Sequence, residues 1–408
     1  MTARDLRRAR MAVFGHFFVL GAATATWSAR LPAIKEALHL SDGSLGLVLF
    51  AVPAGSVLTL MLSGRIVDRL GAARVMRIGG LLVAAALVLI GVGPQIRNLP
   101  VLVVALACFG VVAGLLDVSM NTCAARLEVA YGRPIMSSLH AGYSIAGLAG
   151  AGIGGIFAAL ALGPLPTFAS VALPLAVFVL LAGRWVVLPP VPAEDARPGD
   201  PPRHATGQMV AIIWVLGLLA LAGQLGEGSA GDWSAVYLHA NLGASAGVAA
   251  VGLAAFSVTM AAGRLAGDRL AARFGPVALV RASGLVAGLG LAAGLLIGTP
   301  AAGIAGFALL GVGLAGIFPQ IVTSAARLDP ARAGRNIGRI AAVAYTGLLT
   351  GPVAIGAAAS GVGLRDALLI PAALAVGTAA AAGVLSPRRG RRGEPPAAPR
   401  RPEQTAAR

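Results

Sequence analysis

Charged residues are scarce in this chain of 408 residues: they make up 12% of the total, whereas 57% of the residues are hydrophobic. A soluble domain carries charge on about a quarter of its residues, so most of this surface has to be solvated by lipid. Cysteine is also rare, since Cys108 and Cys123 are the only two and lie in one apolar run. They stand about four helical turns apart and cannot bridge each other. The composition therefore excludes a soluble, disordered or disulfide-stabilised protein and predicts an integral membrane protein.

Apolar runs long enough to cross a membrane follow one another along the chain. A bilayer core about 30 Å thick needs roughly 20 helical residues. Twelve runs of this kind occur, with approximate bounds 11–29, 45–62, 75–93, 101–122, 136–158, 168–188, 209–228, 244–262, 277–298, 301–325, 340–360 and 367–385. Because each run is apolar on all sides, we predict an all-α integral membrane fold with twelve transmembrane helices. The first run follows basic residues, as in a signal peptide, but it is long enough to span and we expect it to be retained.

The net charge of +16 would suit a nucleic-acid partner if the basic residues formed one patch, but they fall at the ends of the apolar runs. An even number of spans places both termini on one side of the membrane. If that side is the cytoplasm, the inner segments hold 28 of the 32 basic residues, and the outer segments hold only Arg30, Lys35, Arg97 and Arg365. Since cytoplasmic loops are enriched in Lys and Arg, we predict a multi-pass cell-membrane protein with both termini in the cytoplasm.

A linker divides the chain into two similar halves. The segment 189–208 contains six prolines and no apolar run. Asp68-Arg69-Leu70 recurs 200 residues later as Asp268-Arg269-Leu270, between the second and third runs of each half. We predict two six-helix bundles related by a pseudo-twofold axis, which is the architecture of alternating-access carriers. The predicted parts are a cytoplasmic tail at 1–10, bundles at 11–188 and 209–386, a cytoplasmic linker at 189–208 and a basic cytoplasmic tail at 387–408.

The repeated motif carries a resemblance to a known family. The stretch 64–71, GRIVDRLG, with Arg74 after it, is similar to the cytoplasmic signature loop of the major facilitator superfamily, and 264–275 is similar to a second copy. The resemblance covers residues 11–386 and implies a secondary carrier. In that family the loop forms charge relays and helix-end contacts that hold the inward side closed. The resemblance implies this gating role for Asp68, Arg69 and Arg74, and for Asp268, Arg269 and Arg273.

Physical chemistry supports such a gate independently of the resemblance. A carboxylate at a helix end that faces arginines of a neighbouring helix can form and break its contacts as two bundles rock. The alternative is that the charges of the loop only set the topology.

Acidic residues within apolar runs are costly and are therefore functional candidates. Asp117 stands nine residues before Arg126 in the fourth run, about 13 Å inside the membrane at 1.5 Å per residue. Asn121 lies one turn further on the same face, and we expect His140 of the fifth run at a similar depth. An acid, an amide and an imidazole in one cavity would bind a proton together with a polar solute. The alternative is that Asp117 and His140 only hydrogen-bond to neighbouring helices.

The spacing Asp117-x-x-x-Asn121 is similar to the acid-x-x-x-Asn pattern of the fucose-permease-like branch of the superfamily. In that branch the acid is implicated in proton coupling, so the resemblance implies this role for Asp117. Ser28 stands four residues before Pro32, where that branch carries an aspartate. The resemblance therefore does not extend to the full coupling scheme or to sugar specificity.

Glu227 lies in a glycine-rich part of the seventh run, with four glycines at 223–231. Such a segment favours a broken helix that lines a cavity, so Glu227 and Gln224 are candidates for an outer gate or for solute binding. The alternative is a plain helix-end role, and we expect Asp232 at the membrane interface. Two polar residues in the tenth and eleventh runs and a tryptophan near the outer end of the first run are further candidates for solute contact: Gln320, Tyr345 and Trp27.

The pattern Gly150-x-Gly152-x-x-Gly155 matches the dinucleotide-binding fingerprint, but no strand precedes it and it lies inside a span, so we interpret it as close helix packing. It also resembles the fifth-helix motif of antiporters in the superfamily, although Ala151 stands where that motif has proline. The sequence contains no phosphate-binding loop, His-Glu-x-x-His zinc motif or nucleophile-elbow serine. We therefore expect neither an enzyme nor a bound metal or cofactor.

The sequence thus predicts a secondary carrier that moves a small polar solute by alternating access, with protons as the coupling ion and symport as the expected mode. The expected partners are the solute, protons and the lipid bilayer, with no nucleic acid, and the expected assembly is a monomer. Two alternatives stay open. One is efflux of drugs or metabolites by proton antiport, and the other is a non-transporting receptor with the same fold.

The orientation is tested by cysteine labelling in a chain whose Cys108 and Cys123 are replaced by serine. A single cysteine in the linker 189–208 should react only with thiol reagents that enter the cell, because the basic residues place this segment in the cytoplasm. Asn98→Cys, in an outer segment, is the control and should react with a membrane-impermeant reagent in intact cells. Labelling of the linker by the impermeant reagent would contradict the orientation.

Overall fold

The computed structural model describes residues 2–40, 42–186 and 207–386. These residues are almost entirely helical and contain no β-strand. The predicted linker lies outside the described residues except for its last two, and the predicted tail at 387–408 lies outside them entirely.

Six long helices form the first half of the chain. They are α1 (Ala3–Ala29), α2 (Ala51–Leu70), α3 (Ala72–Gln95), α4 (Leu99–Tyr131), α5 (Met136–Ala159) and α6 (Pro164–Ala182). Two shorter helices, Leu31–Ala37 and Asp42–Leu49, connect α1 to α2. The span that contains α2 is bent by 47° between Val57 and Leu62.

The second half repeats this arrangement with two continuous elements. It contains α7 (Gly207–Val236), which ends in a π-helical turn at Tyr237–Asn241, and then a helix of 52 residues, Ala246–Ile297. Gly275, with φ of 77° and ψ of 164°, breaks that helix into α8 (246–274) and α9 (276–297). A two-part α10 follows (Pro300–Leu314 and Ile317–Leu328), and then α11 (Ala333–Val362), the short helix Leu364–Ala367 and α12 (Leu369–Ala381).

The break at Gly275 is what makes the count of spans twelve. Among the described residues ten helices are long and apolar enough to cross a membrane, and the bent α2 span makes eleven. At 1.5 Å per residue the 52-residue helix is about 78 Å long, more than twice the thickness of a bilayer core. It therefore crosses twice, and only glycine adopts the backbone angles of residue 275 readily. The predicted all-α fold of twelve transmembrane helices is confirmed.

α1 begins at Ala3, eight residues before the first apolar run. The side chain of Thr2 accepts a hydrogen bond from the backbone N–H of Asp5, and the Asp5 carboxylate accepts one from the backbone N–H of Thr2. This capping box starts a helix in a charged segment. The predicted tail at 1–10 is therefore mostly an extension of the first helix.

The glycine motif of α5 packs closely at one position. A Cβ atom at Gly150 would lie 2.6 Å from the carbonyl oxygen of Ala22 on α1, whereas one at Gly152 or Gly155 would meet nothing within 4 Å. Close helix packing thus explains Gly150 but not the other two glycines of the pattern.

The expectation of a broken helix around Glu227 was wrong. α7 is continuous from Gly207 to Val236, and neighbouring side chains pack closely against two of the glycines around Glu227. A Cβ atom at Gly226 would approach a methyl group of Leu314 to 2.9 Å, and one at Gly228 would approach Leu348 to 3.3 Å. These glycines make room for packing, and the helix departs from α geometry only at Tyr237–Asn241.

Candidate functional site

The two halves meet at the end of the bundle that carries Asp68 and Asp268, together with the first turns of α1, α5, α7 and α11. We call this the basic end, and the other the opposite end. Across the halves, α2 packs on α11 and α8 packs on α5. The two repeated aspartates lie in these two seams.

Asp268 on α8 caps the start of α5 in the other half. Its two carboxylate oxygens accept hydrogen bonds from the backbone N–H groups of Ser137, at 2.8 Å, and of Ser138, at 3.0 Å. The first N–H groups of a helix have no partner within the helix and carry the positive end of its dipole. A carboxylate from one half is therefore bound to a helix of the other.

Asp68 on α2 occupies the related position at the start of α11. Its carboxylate faces the backbone N–H groups of Gly334 and Arg335, and its Oδ2 atom lies 3.9 Å from Nε of Arg335. This distance is too long for a hydrogen bond. The contact between Asp68 and α11 is thus looser than the contact between Asp268 and α5. It also includes a side chain, that of Arg335, in addition to backbone groups.

The arginines of the two loops do not enter these seams. The side chains of Arg69, Arg74, Arg269 and Arg273 are exposed, and Arg273 lies over the ring of its neighbour Phe274 at 5.3 Å. The structure brings the two aspartates, but not these four arginines, to the contact between the halves.

A third contact at the basic end comes from Glu128 on α4, which sequence reasoning missed. Its Oε2 atom accepts backbone hydrogen bonds from Ile135 and Met136, both at 2.9 Å. Its Oε1 atom accepts a hydrogen bond from the hydroxyl of Thr323 at 2.9 Å and lies 3.6 Å from Nη2 of Arg327, both on α10. One buried carboxylate thus ties the start of α5 to the second half.

A cavity of about 320 Å³ lies between the halves, toward the middle of the bundle. Much of its wall is apolar, and we call it the polar cavity for the charged and hydroxyl side chains that also line it. Its walls come from α1 and α5 of the first half and from α7 and α8 of the second. Six of its lining residues carry polar or charged groups: Thr24, Tyr143, Ser144, Glu227, Ser257 and Arg264.

The charged part of the cavity is a pair between α7 and α8. Nη2 of Arg264 lies 3.4 Å from Oε2 of Glu227, and Nη1 of Arg264 donates to the hydroxyl of Ser144 on α5 at 2.7 Å. Arg264 is buried, with 7% of its surface exposed. Glu227 on α7 supplies the counter-charge that a buried guanidinium needs, and the hydrogen bond to Ser144 connects α8 to α5 across the halves.

Asp117 and Asn121 form a pair near the middle of α4. The amide nitrogen of Asn121 donates to the carbonyl oxygen of Asp117 at 2.9 Å and to its Oδ1 atom at 3.1 Å. Both residues are buried, and Oδ1 of Asn121 has no hydrogen-bond partner among the described residues. Tyr345 on α11 is near enough to interact electrostatically with Asp117 and Glu227.

His140 lies in an aromatic environment rather than beside Asp117. Its Nδ1 atom donates to the carbonyl oxygen of Met136 at 3.0 Å, within its own helix. Its ring contacts those of Phe17 and Phe318, with centroids at 4.7 Å and 5.7 Å. No contact between the His140 and Asp117 side chains occurs in the described part of the chain.

The remaining candidates do not form one cluster. Gln224 lines a narrow cleft with Glu227 and Arg264. Trp27 is buried and packs edge-on against Phe109 at 6.1 Å. Gln320 is buried on α10. Among the described residues no group of histidine, cysteine and acidic side chains is arranged to hold a metal ion.

The sequence matches the Major Facilitator Superfamily over residues 12–239 and 228–407. The chain belongs to this superfamily. It is 34% identical to the transporter y4wD of Sinorhizobium fredii over 379 residues, which cover 90% of this chain and 96% of that protein. It is 32% identical to the membrane protein MosC of Rhizobium meliloti over 366 residues, 90% of this chain and 87% of that one. It is therefore a multi-pass secondary transporter and not an enzyme.

Solved structures of the superfamily share the fold along nearly the whole chain. The E. coli fucose:proton symporter FucP, crystallised in an outward conformation, aligns with a TM-score of 0.74 at 18% identity over 93% of this chain and 98% of that one. The human organic anion transporter MFSD10 aligns with a TM-score of 0.74 at 17% identity over 95% and 100% of the two chains. At these identities the likeness shows the fold alone.

Two residues of the site, Arg264 and Glu128, were not among the candidates predicted from the sequence, although the repeat contains a signal for each of them. Arg264 lies one turn before Asp268, where the first copy of the loop has Gly64. This charge follows the eighth apolar run at a position where the other copy of the loop has none. Glu128 stands 201 residues before Asp329, and the same offset relates Gly150 and Gly155 of α5 to Gly351 and Gly356 of α11.

Proposed function

We propose that this chain carries a small polar solute across the cell membrane by alternating access, coupled to protons, with its basic end in the cytoplasm. The observation that carries this proposal is the polar cavity with its Arg264–Glu227 pair, because helices of both halves line it. A cavity at such a boundary opens to one side or the other as the halves rock.

The chemistry of the cavity favours a small hydrophilic solute. Its volume of about 320 Å³ lies at the lower end of the roughly 300–1,000 Å³ of ligand pockets. Hydroxyl groups of Thr24, Ser144 and Ser257 both donate and accept hydrogen bonds, and Arg264 and Glu227 add one charge of each sign. A solute with several hydroxyl or amino groups satisfies such a lining. FucP is a fucose:proton symporter and XylE is a proton:xylose symporter, and both sugars are solutes with several hydroxyl groups.

Filling the cavity should remove solute binding. Ser257→Leu adds three carbon atoms to a half-buried position in the cavity wall and leaves the ion pair intact. A screen of sugars, nucleosides, amino acids and drugs for thermal stabilisation identifies a ligand of the purified protein. We expect Ser257→Leu to weaken that ligand at least tenfold, whereas Ser360→Leu, at an exposed position on α11, leaves its affinity unchanged. Equal affinity for Ser257→Leu and wild type would exclude this cavity as the solute site.

Asp117 is our candidate for the proton carrier. A neutral carboxyl group has one O–H to donate, and the unpartnered Oδ1 atom of Asn121 is a buried acceptor one turn away. The ionised form accepts the hydrogen bond from the Asn121 amide. The ionised form thus has a hydrogen-bond donor on α4, and the neutral form has a candidate acceptor in the same side chain once the amide turns.

Asp117→Asn should abolish accumulation of the solute driven by a pH gradient, because asparagine keeps the shape and the hydrogen bond but fixes a neutral state. Counterflow exchange of the same solute should survive at least partly. The measurement is flux into liposomes with purified, monodisperse protein, and Asp232→Asn, at an exposed position, is the control. A variant that still concentrates solute would remove Asp117 from the coupling.

The same assay separates the alternatives to symport. Symport and antiport give opposite signs of the pH change that accompanies solute movement. A protein that binds the solute with no flux of either kind would be a receptor.

The seams at the basic end are our candidate for the inner gate. Asp68 and Asp268 hold helices of opposite halves together on the side that the arginines assign to the cytoplasm. Glu128 adds its contacts with Thr323 and Arg327. These contacts have to break before the cavity can open inward.

Asp268→Asn leaves one acceptor where two oxygens now bind Ser137 and Ser138, and so weakens the closed seam. We expect turnover in liposomes to fall several-fold while the affinity for the solute stays within about threefold, because the substitution changes the balance of states more than the site. Asp68→Asn should act in the same direction and more weakly. Asp366→Asn, at an exposed position near the opposite end, is the control. Unchanged turnover in both variants would mean that these charges only set the membrane topology.

A further inference from the structure

A second cleft opens between the halves at the basic end, on the outer surface of the bundle. Its main part has a volume of about 480 Å³ and is formed by α2, α7 and α11. A smaller part of about 240 Å³ continues it along α11 and shares Ile213 and Arg339 with it. The cleft lies away from the polar cavity, and the transport mechanism proposed above makes no use of it.

The cleft has an excess of positive charge. Of its four arginines, Arg332 lies 3.5 Å from the Asp329 carboxylate and Arg335 lies 3.9 Å from that of Asp68. Arg65 and Arg339 have no carboxylate within 4.0 Å in the described part of the chain, and both are exposed. Two guanidinium groups therefore face the same space without a counter-charge.

The depth of these two arginines distinguishes them from arginines of the loops. Arg65 stands five residues before the end of α2, and Arg339 six residues after the start of α11. At 1.5 Å per residue both lie about 8–9 Å inside their helix ends. Long arginine side chains at this depth extend toward the polar boundary of the bilayer.

The remaining wall of the cleft is apolar and faces the surrounding membrane. Trp214 on α7 is 60% exposed and Val210 is 38% exposed. They line the cleft together with Ile213, Ala342 and Val343. An occupant of this cleft thus meets cationic groups at one end and an indole ring with aliphatic side chains along its length.

We propose that this cleft binds one anionic phospholipid of the leaflet at the basic end, with its phosphate between Arg65 and Arg339 and an acyl chain along Trp214 and Val210. Basic pockets between transmembrane helices suit such head groups, and arginine pairs bind phosphate oxygens in a directed way. Because Arg65 belongs to the first half and Arg339 to the second, the lipid bridges the α2–α11 seam.

Quenching of tryptophan fluorescence by brominated lipid tests the site in the full-length protein. The protein is reconstituted in phosphatidylcholine with a small fraction of brominated phosphatidylglycerol or brominated phosphatidylcholine, and the Trp214 signal is the difference between wild type and Trp214→Phe. We expect phosphatidylglycerol to quench Trp214 with about a tenfold preference over phosphatidylcholine. The double variant Arg65→Gln/Arg339→Gln should lose most of this preference.

Arg281→Gln is the matched control, because Arg281 is an exposed arginine five residues inside the start of α9 and outside the cleft. It should keep the preference. An equal loss in Arg281→Gln would mean that diffuse surface charge attracts the lipid, and equal quenching by the two lipids in the wild type would exclude an anionic lipid site. Either result overturns the proposal.

Two further experiments test for other occupants of the cleft, namely free phosphate and the linker of this chain. Inorganic phosphate at 20 mM should not reduce the quenching, and full displacement by it would mean a site for free phosphate. The linker acids Glu194, Asp195 and Asp200 are the alternative within this chain. If the lipid preference occurs only after their replacement by the corresponding amides, the linker occupies the cleft and the lipid proposal fails.

Discussion

The hydrogen bonds between the Asp268 carboxylate and the first N–H groups of α5 are the contact on which the arrangement of the two halves depends. A negative charge at a helix start stabilises by about 0.3–1 kcal/mol, and by up to about 2 kcal/mol where it is partly buried. Such a contact is strong enough to bias an equilibrium, since about 1.4 kcal/mol changes it tenfold. It is also weak enough to break. A closed end built from a few of these contacts is suited to a protein that has to open it repeatedly.

The buried ion pair follows from the same closure. Arg264 is more than 90% buried only because α5 and α7 surround it, and it donates to Ser144 of the other half. If the halves separate there, the guanidinium loses that partner and gains either water or solute. Its ion pair with Glu227 lies within the second half, so only the hydrogen bond to Ser144 depends on the seam.

The sequence predicted the twelve spans well, because hydrophobic length is a strong signal, and its exact repeat drew attention to the two aspartates that lie in the seams. It did not predict their partners. Asp268 binds backbone N–H groups of Ser137 and Ser138, and a backbone group has no side chain that a sequence pattern can reveal. The helix break expected at Glu227 did not occur, because glycines that relieve contact with Leu314 and Leu348 look the same in a sequence as glycines that end a helix. His140 was placed by depth alone, and depth along a helix does not say which face a side chain occupies.

The two copies of the repeated loop differ at one pair of related positions, Gly64 and Arg264. The difference affects how each seam is related to the cavity. At position 64 a Cβ atom would lie 2.5 Å from the Cα atom of Arg335, so glycine is required for α2 and α11 to approach. The related position 264 carries an arginine that reaches Ser144 and Glu227 instead. An aspartate holds each seam, but of these two related positions only 264 carries a charged side chain that lines the cavity. Under the proposed mechanism a solute in the cavity would therefore meet the α8 seam through Arg264, whereas Gly64 offers no side chain for such a contact in the α2 seam.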